Sequence, residues 1–137
     1  MDASQAVAHI HWLAVAVATI IGFPLGALWY GPLFGRAWMT ATGITAERVR
    51  QSNKGKIYGT TLLLNFVIAT SLAMFVGGSA NLRDGLFAGF MAGLTYVAAA
   101  FGITYLFEFR SLRLWAINAG YQVVMFSAMG AILGVWH

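Results

Sequence analysis

Of the 137 residues, 60% are apolar and only 9% charged, against about 25% charged in an ordinary soluble domain; too few charges remain to clothe a water-soluble surface. The net charge of +4 comes from basic residues too few and too clustered for a nucleic-acid face, so no nucleic-acid partner is expected. Cysteine is absent, which removes disulfides, thiolate metal sites and any cue to the redox compartment.

A helix needs about 20 apolar residues to cross the hydrocarbon core. Four segments meet this, at about 8–30, 58–77, 86–107 and 114–136, and none carries an acidic, Lys or Arg residue in its interior. The alternation of a β-barrel is missing. The expectation is an all-α fold, a four-transmembrane-helix bundle with a cytoplasmic interfacial segment between helices 1 and 2, forming one integral membrane domain over 1–137. The N-terminal MDASQAVAHIHW has Asp2 as its only charged side chain. It lacks the basic n-region of a signal peptide, so the first apolar run is expected to be retained.

In the first span, His11, Ala14, Ala18, Gly22, Gly26 and Trp29 fall on one face at helical spacing. Pro24 lies opposite and is expected to bend the helix. The exit reads GALWYGPLFGRAWM, Gly26 to Met39. Trp29 and Tyr30 are expected at the headgroup level and Gly31-Pro32 at the helix end. Leu33, Phe34 and Trp38 would lie along the membrane surface, with Arg36 beside anionic headgroups. ITAERVRQSNKGK then reads as a short helix capped by Thr45, followed by a basic approach to span two.

Span two places Tyr58, Thr61, Asn65, Ala69 and Leu72 on one face, with Asn118 or Gln122 as expected partners for the Asn65 amide. Span three aligns Gly85, Gly89, Ala92, Gly93, Tyr96 and Ala100. Three glycines at spacing four are the strongest helix-packing signal in the chain. Span four carries two stripes: Asn118, Gln122, Met125 and Met129 on one side, and Gly120, Ser127, Gly130 and Gly134 on the other. Two stripes on one helix point to contacts on both sides, within the chain or between copies. A homo-oligomer, dimer or trimer, is therefore expected in the lipid bilayer, with a larger membrane complex as the other partner to consider.

Basic residues orient the spans. Arg36, Arg48, Arg50, Lys54 and Lys56 precede span two, and Arg110 and Arg113 separate spans three and four; Arg83 alone lies at the other end. The positive-inside rule then puts both termini in the periplasm of a bacterial inner membrane. Trp12 and Trp136 would mark the outer interface, and Trp29, Trp38 and Trp115 the inner one.

WYGPLFGRAW, with INAGYQVVMFSAMGAILGVW near the C-terminus, resembles a small bacterial membrane-protein family, domain of unknown function 1761. The likeness covers nearly the whole chain and rests on Trp29 to Gly35, Trp38, Asn118, Gly120 and Tyr121. It implies a four-helix membrane protein and brings no activity or catalytic residues. Gln122 stands where the resemblance implies a histidine.

Chemistry is sparse. The four carboxylates, Asp2, Glu47, Asp84 and Glu108, lie at span ends or in connections, and no acid–base pair, nucleophile triad or phosphate loop is present. No catalytic residue and no cofactor is expected. The polar intramembrane candidates are Asn65, Asn118, Tyr121 and Gln122. The preferred expectation is an oligomeric packing or accessory subunit, and the alternative a transporter or channel lined by the Asn/Gln stripe. Two further alternatives are copper binding through Met125, Met129, His9 and His11, with His137 on the same side, and a trimeric glutathione-type membrane enzyme. ERVRQSN, Glu47 to Asn53, does not supply the Arg-x-x-x-Asn-x-x-acid pattern associated with the latter.

Overall fold

A computed structural model describes residues 2–78 and 80–136; His137, named with the copper alternative, lies outside them. Among these residues every regular element is helical. The chain runs through α1 (Ala3–Ala8), α2 (Trp12–Leu28), a π segment (Trp29–Leu33), α3 (Gly35–Thr42), α4 (Ala46–Arg50), α5 (Lys54–Val76) and α6 (Leu82–Met91). A second π segment (Ala92–Ala98), α7 (Ala99–Phe107) and α8 (Leu112–Val135) complete it. Joined across the π segments, four rods of 22, 23, 26 and 24 residues are long and apolar enough to cross a membrane.

The first rod is shifted relative to the sequence expectation at both ends. It starts at Trp12 rather than near residue 8, because the His11 side chain caps it. His11 Nδ1 accepts the Ala14 N–H at 3.2 Å. The preceding residues form the separate α1, closed by a capping box between Asp2 and Gln5. At the other end Gly31-Pro32 does not stop the helix. Pro32 has no N–H to give the carbonyl one turn back, and the chain widens instead: the Phe34 N–H reaches Trp29 O at 2.8 Å, five residues back. The rod ends at Leu33. Gly35 then starts α3, with no room for a side chain, since a Cβ would meet the Tyr30 carbonyl.

The second π segment corrects a face assignment. Straight-helix spacing puts Tyr96 and Ala100 on the face of Gly85, Gly89 and Gly93. The wider π turn rotates everything after Ala92, so that Ala98 is buried while Tyr96 is 77% exposed. A single inserted register is enough to move a helix face by about 100°.

α8 is the central rod. Its Gly130 and Gly134 meet Gly85 and the Asn81 carbonyl, while Gly89 rests on Phe126 and Ser127, and Gly93 on Val123. Its other side packs on α2 and α5 through Met125, Met129 and Leu133 against Ile10, Ala14, Val15, Ala18, Ala69 and Leu72. Both stripes of this helix are thus occupied within one chain. Outward faces stay apolar, with Leu63 61% and Val67 57% exposed on α5. Water would penalise such a surface and hydrocarbon would not. Helical hydroxyls are satisfied by their own backbone, as in Thr19 to Val15 O, Thr61 to Ile57 O, Thr95 to Met91 O and Ser127 to Val123 O.

Candidate functional site

Where the first rod widens, four aromatic side chains and one amide converge at the end of the bundle that carries α3 and α4. Trp29 sits on the π turn and donates Nε1–H to Ile117 O at 2.9 Å. The Tyr30 hydroxyl donates to Asn118 Oδ1 at 2.7 Å, and Asn118 Nδ2 donates to the Tyr105 hydroxyl at 2.8 Å. Tyr121, one turn along α8, donates to Gly22 O at 2.6 Å. Rings close around these bonds: Tyr30 lies 5.3 Å from Tyr121 and 5.7 Å from Trp38, both edge-on, and Trp29 lies 4.6 Å from Phe34. One network ties α2, α7 and α8 together.

Asn118 and Tyr121 therefore belong to this cluster. Asn65 does not. Its Nδ2 donates to Thr19 O at 3.4 Å, across the α2–α5 contact, and neither Asn118 nor Gln122 is its partner. The reason is geometric: α5 packs over Gly22, where a Cβ would lie 2.7 Å from that amide nitrogen, and α8 reaches the same glycine from the other side with Met125 and Tyr121. Gln122 makes no side-chain hydrogen bond among the described residues. The four polar candidates form no continuous stripe, and between Asn65 and the terminal end the interior is sealed by Ala14, Ala18, Ala69 and Met129, each 0% exposed.

Two indoles read as headgroup anchors are engaged inside the bundle. Trp29 is bonded to Ile117, and Trp115 Nε1 donates to Ala98 O at 2.8 Å, at the close of the second π segment. Trp115 also fills the space over Gly102. Trp12 is exposed and stacks on Phe66 at 6.3 Å, Trp136 leans on His11 at 5.3 Å, and Arg36 is exposed. Gly26 faces the Tyr121 ring. Tyr30 and Tyr105 were missed by sequence reasoning. Tyr30 could have been found from its place beside Trp29 in WYGP, whereas nothing local marks Tyr105.

The copper candidates are apart. His11 spends Nδ1 on the cap of α2, and His9 lies beside Gly78. Met125 and Met129 are buried in the core, where the Tyr121 hydroxyl approaches Met125 Sδ at 3.5 Å. Among the described residues no three His, Cys, Asp or Glu side chains gather into a metal site.

Beside the network, α2, α3, α4 and α5 enclose a crevice of about 630 Å³ with Gly22, Gly26 and Tyr121 at its floor. A hollow of about 660 Å³ on the outer side of α6, at Arg83, Leu86 and Phe90, has no second element facing it.

The rods and their half-buried polar–aromatic clamp define a class: an all-α membrane protein with four helices of membrane-spanning length. Within that class the family is shown. A family model described as "Protein of unknown function (DUF1761)" matches residues 13–134, and the chain belongs to this family. No curated protein and no solved structure matches it.

Proposed function

We propose that this protein is a non-catalytic, non-permeating inner-membrane module, an accessory subunit that packs against other membrane chains. The close packing of the midplane carries this reading: Asn65 and Tyr121 each donate to a backbone carbonyl of α2 near Gly22, and Asn118 is taken up by Tyr30 and Tyr105, so each polar group is committed to a partner within the bundle. A pathway for polar solutes would need groups open to water along its length. The basic residues at 36–56 and 110–113 favour a cytoplasmic position for α3 and α4, with both termini in the periplasm. A dimer or trimer would use the exposed apolar outer faces of α2, α5 or α6–α7, because α8 packs against neighbours on both sides.

The test uses proteoliposomes and the cysteine-free background. Leakage of small ions and polar solutes should equal that of empty vesicles. Cysteines placed at Leu63 or Val67 should cross-link to a second membrane chain, its own copy or another, in native membranes. Solute flux abolished by Asn118→Leu would overturn the proposal in favour of a transporter.

A further inference from the structure

The crevice between α2 and α5 is open toward the side, and its chemistry changes along its length. Its inner part is floored by Gly22 and Gly26 and walled by Phe23 and Tyr58, which meet edge-on at 6.1 Å. Its outer part is roofed by Trp38 and by Val49 of the short α4. Beyond Val49, Ile57 and Tyr58 it continues into a smaller cavity lined by Arg48 and Lys54. On the far side of Ile57 and Thr61 lies another, lined by Arg48, Asn53 and Lys56. The apolar trough therefore leads out to a rim of cations.

These cations form no ion pair among the described residues. Among the described residues the one ion pair is Arg110 with Glu108, at the neighbouring connection. Glu47, the single carboxylate of segment 46–56, is occupied by Gln51 at 3.3 Å. Lys54 is turned onto the carbonyls of Val49 and Arg50; Arg48 borders both smaller cavities, and Lys56 joins it in the one across Ile57 and Thr61 from the trough.

Depth gives the third observation. From Gly22 to the end of the first rod at Leu33 is eleven residues, roughly 16 Å at 1.5 Å per residue. That is half of the roughly 30 Å hydrocarbon core. A trough that starts at the cationic end and stops at mid-bilayer has the length of one leaflet. Its volume also falls in the range of about 300–1,000 Å³ usual for ligand sites.

We propose that this crevice binds one anionic phospholipid of the leaflet at the α3–α4 end, with its phosphate on Arg48 and Lys56 and one acyl chain lying along Gly22, Gly26 and Tyr58. The site rests on the membrane-spanning reading above. Positive-inside charge placement alone would require neither a trough behind the cations nor a fixed stoichiometry.

The test is native mass spectrometry and fluorescence on the full chain in nanodiscs containing one part phosphatidylglycerol to three parts phosphatidylcholine. The wild type should retain one phosphatidylglycerol per chain. A brominated acyl chain should quench the tryptophan emission of the wild type, and quench it less in Trp38→Phe, which keeps the indole bonds of Trp29 and Trp115. Arg48→Gln/Lys56→Gln should lower the preference for phosphatidylglycerol at least fivefold while leaving the far-UV spectrum unchanged. Ala27→Phe, which fills the trough from an exposed position, should abolish retention of either lipid, whereas Leu63→Phe on the outer face of α5 should change nothing. Equal retention of both lipids, or a double variant that keeps its preference, overturns the site. So does a lipid-independent cross-link between copies through Ala27→Cys, which would make the occupant a second chain. A chain that stays dissolved without detergent would instead overturn the membrane reading itself, so the two failures are distinct.

Discussion

Replacing Gly89 with alanine places one methyl group where α6 and α8 touch. That carbon would overlap the Phe126 carbonyl oxygen and lie 2.8 Å from the Phe126 carbonyl carbon and 3.2 Å from Ser127 Cα. All three are backbone or backbone-linked atoms, so no side chain can swing away. Restoring an ordinary separation of 3.4 Å to the carbonyl carbon alone parts the helices by about 0.6 Å. A gap of that size forfeits about a quarter or more of the dispersion energy at neighbouring contacts. The penalty extends to the closely packed Gly85, Gly93, Gly130 and Gly134. Overpacking of this kind costs about 1–3 kcal/mol. Gly59→Ala is the matched control: a Cβ there meets nothing within 4 Å, and alanine gains up to about 1 kcal/mol of helix propensity. Reversible unfolding in mixed micelles, followed by far-UV circular dichroism as the dodecyl sulfate fraction rises, reads both. Gly89→Ala should unfold at clearly lower dodecyl sulfate than wild type, and Gly59→Ala at the same or higher. Equal midpoints for the two variants would refute the close α6–α8 contact.

Asn118→Leu removes the acceptor of the Tyr30 hydroxyl and the donor to Tyr105. It should destabilise the bundle by about 1–3 kcal/mol, more than Tyr30→Phe, and a double-mutant cycle between the two should show coupling. Asn65→Leu, which gives up one 3.4 Å bond, should cost no more than the roughly 0.6 kcal/mol typical of such contacts between membrane helices. Thr70 Oγ1 is buried without a partner among the described residues, so Thr70→Val should leave the unfolding midpoint unchanged or raise it. The Gln5 backbone N–H, followed by the Ser4 hydroxyl, holds the Asp2 carboxyl below its ordinary value of 3.8. A depressed folded-state pKa stabilises α1 above the unfolded value and loses that stabilisation as pH falls through the folded one. The Gln5 amide should therefore stay protected from exchange at pH 5 and lose protection only below pH 3.8.

Length, apolarity and the absence of interior charges made the four rods legible, because hydrocarbon imposes one requirement that few sequences meet by chance. Glycine spacing was informative for the same kind of reason: Gly85, Gly89 and Gly93 at intervals of four mark a face without side chains, and the structure sets Gly130 and Gly134 of α8 against that stripe. What escaped was whatever depends on departures from the ideal helix. The first π segment carries the rod through Gly31-Pro32, and the second turns Tyr96 out and Ala98 in; neither follows from a period of 3.6. Partner choice was equally hidden. Asn65 meets a backbone carbonyl rather than another amide, and Trp29 and Trp115 bond to neighbouring helices although composition alone suits them to a headgroup layer. Both π segments lie beside the indole and tyrosine bonds of the clamp, so the features hardest to read are the ones that assemble it.

Cysteine scanning with a membrane-impermeant maleimide tests the architecture most directly, since the native chain contributes no thiol background. Ser4→Cys on α1 and Gln51→Cys beyond α4 stand at opposite ends of the bundle. In intact cells stripped of the outer membrane, Ser4→Cys should be labelled at once and Gln51→Cys only after the inner membrane is opened. Labelling of both before permeabilisation, or of Gln51→Cys alone, would contradict a four-span bundle with its cations turned to the cytoplasm.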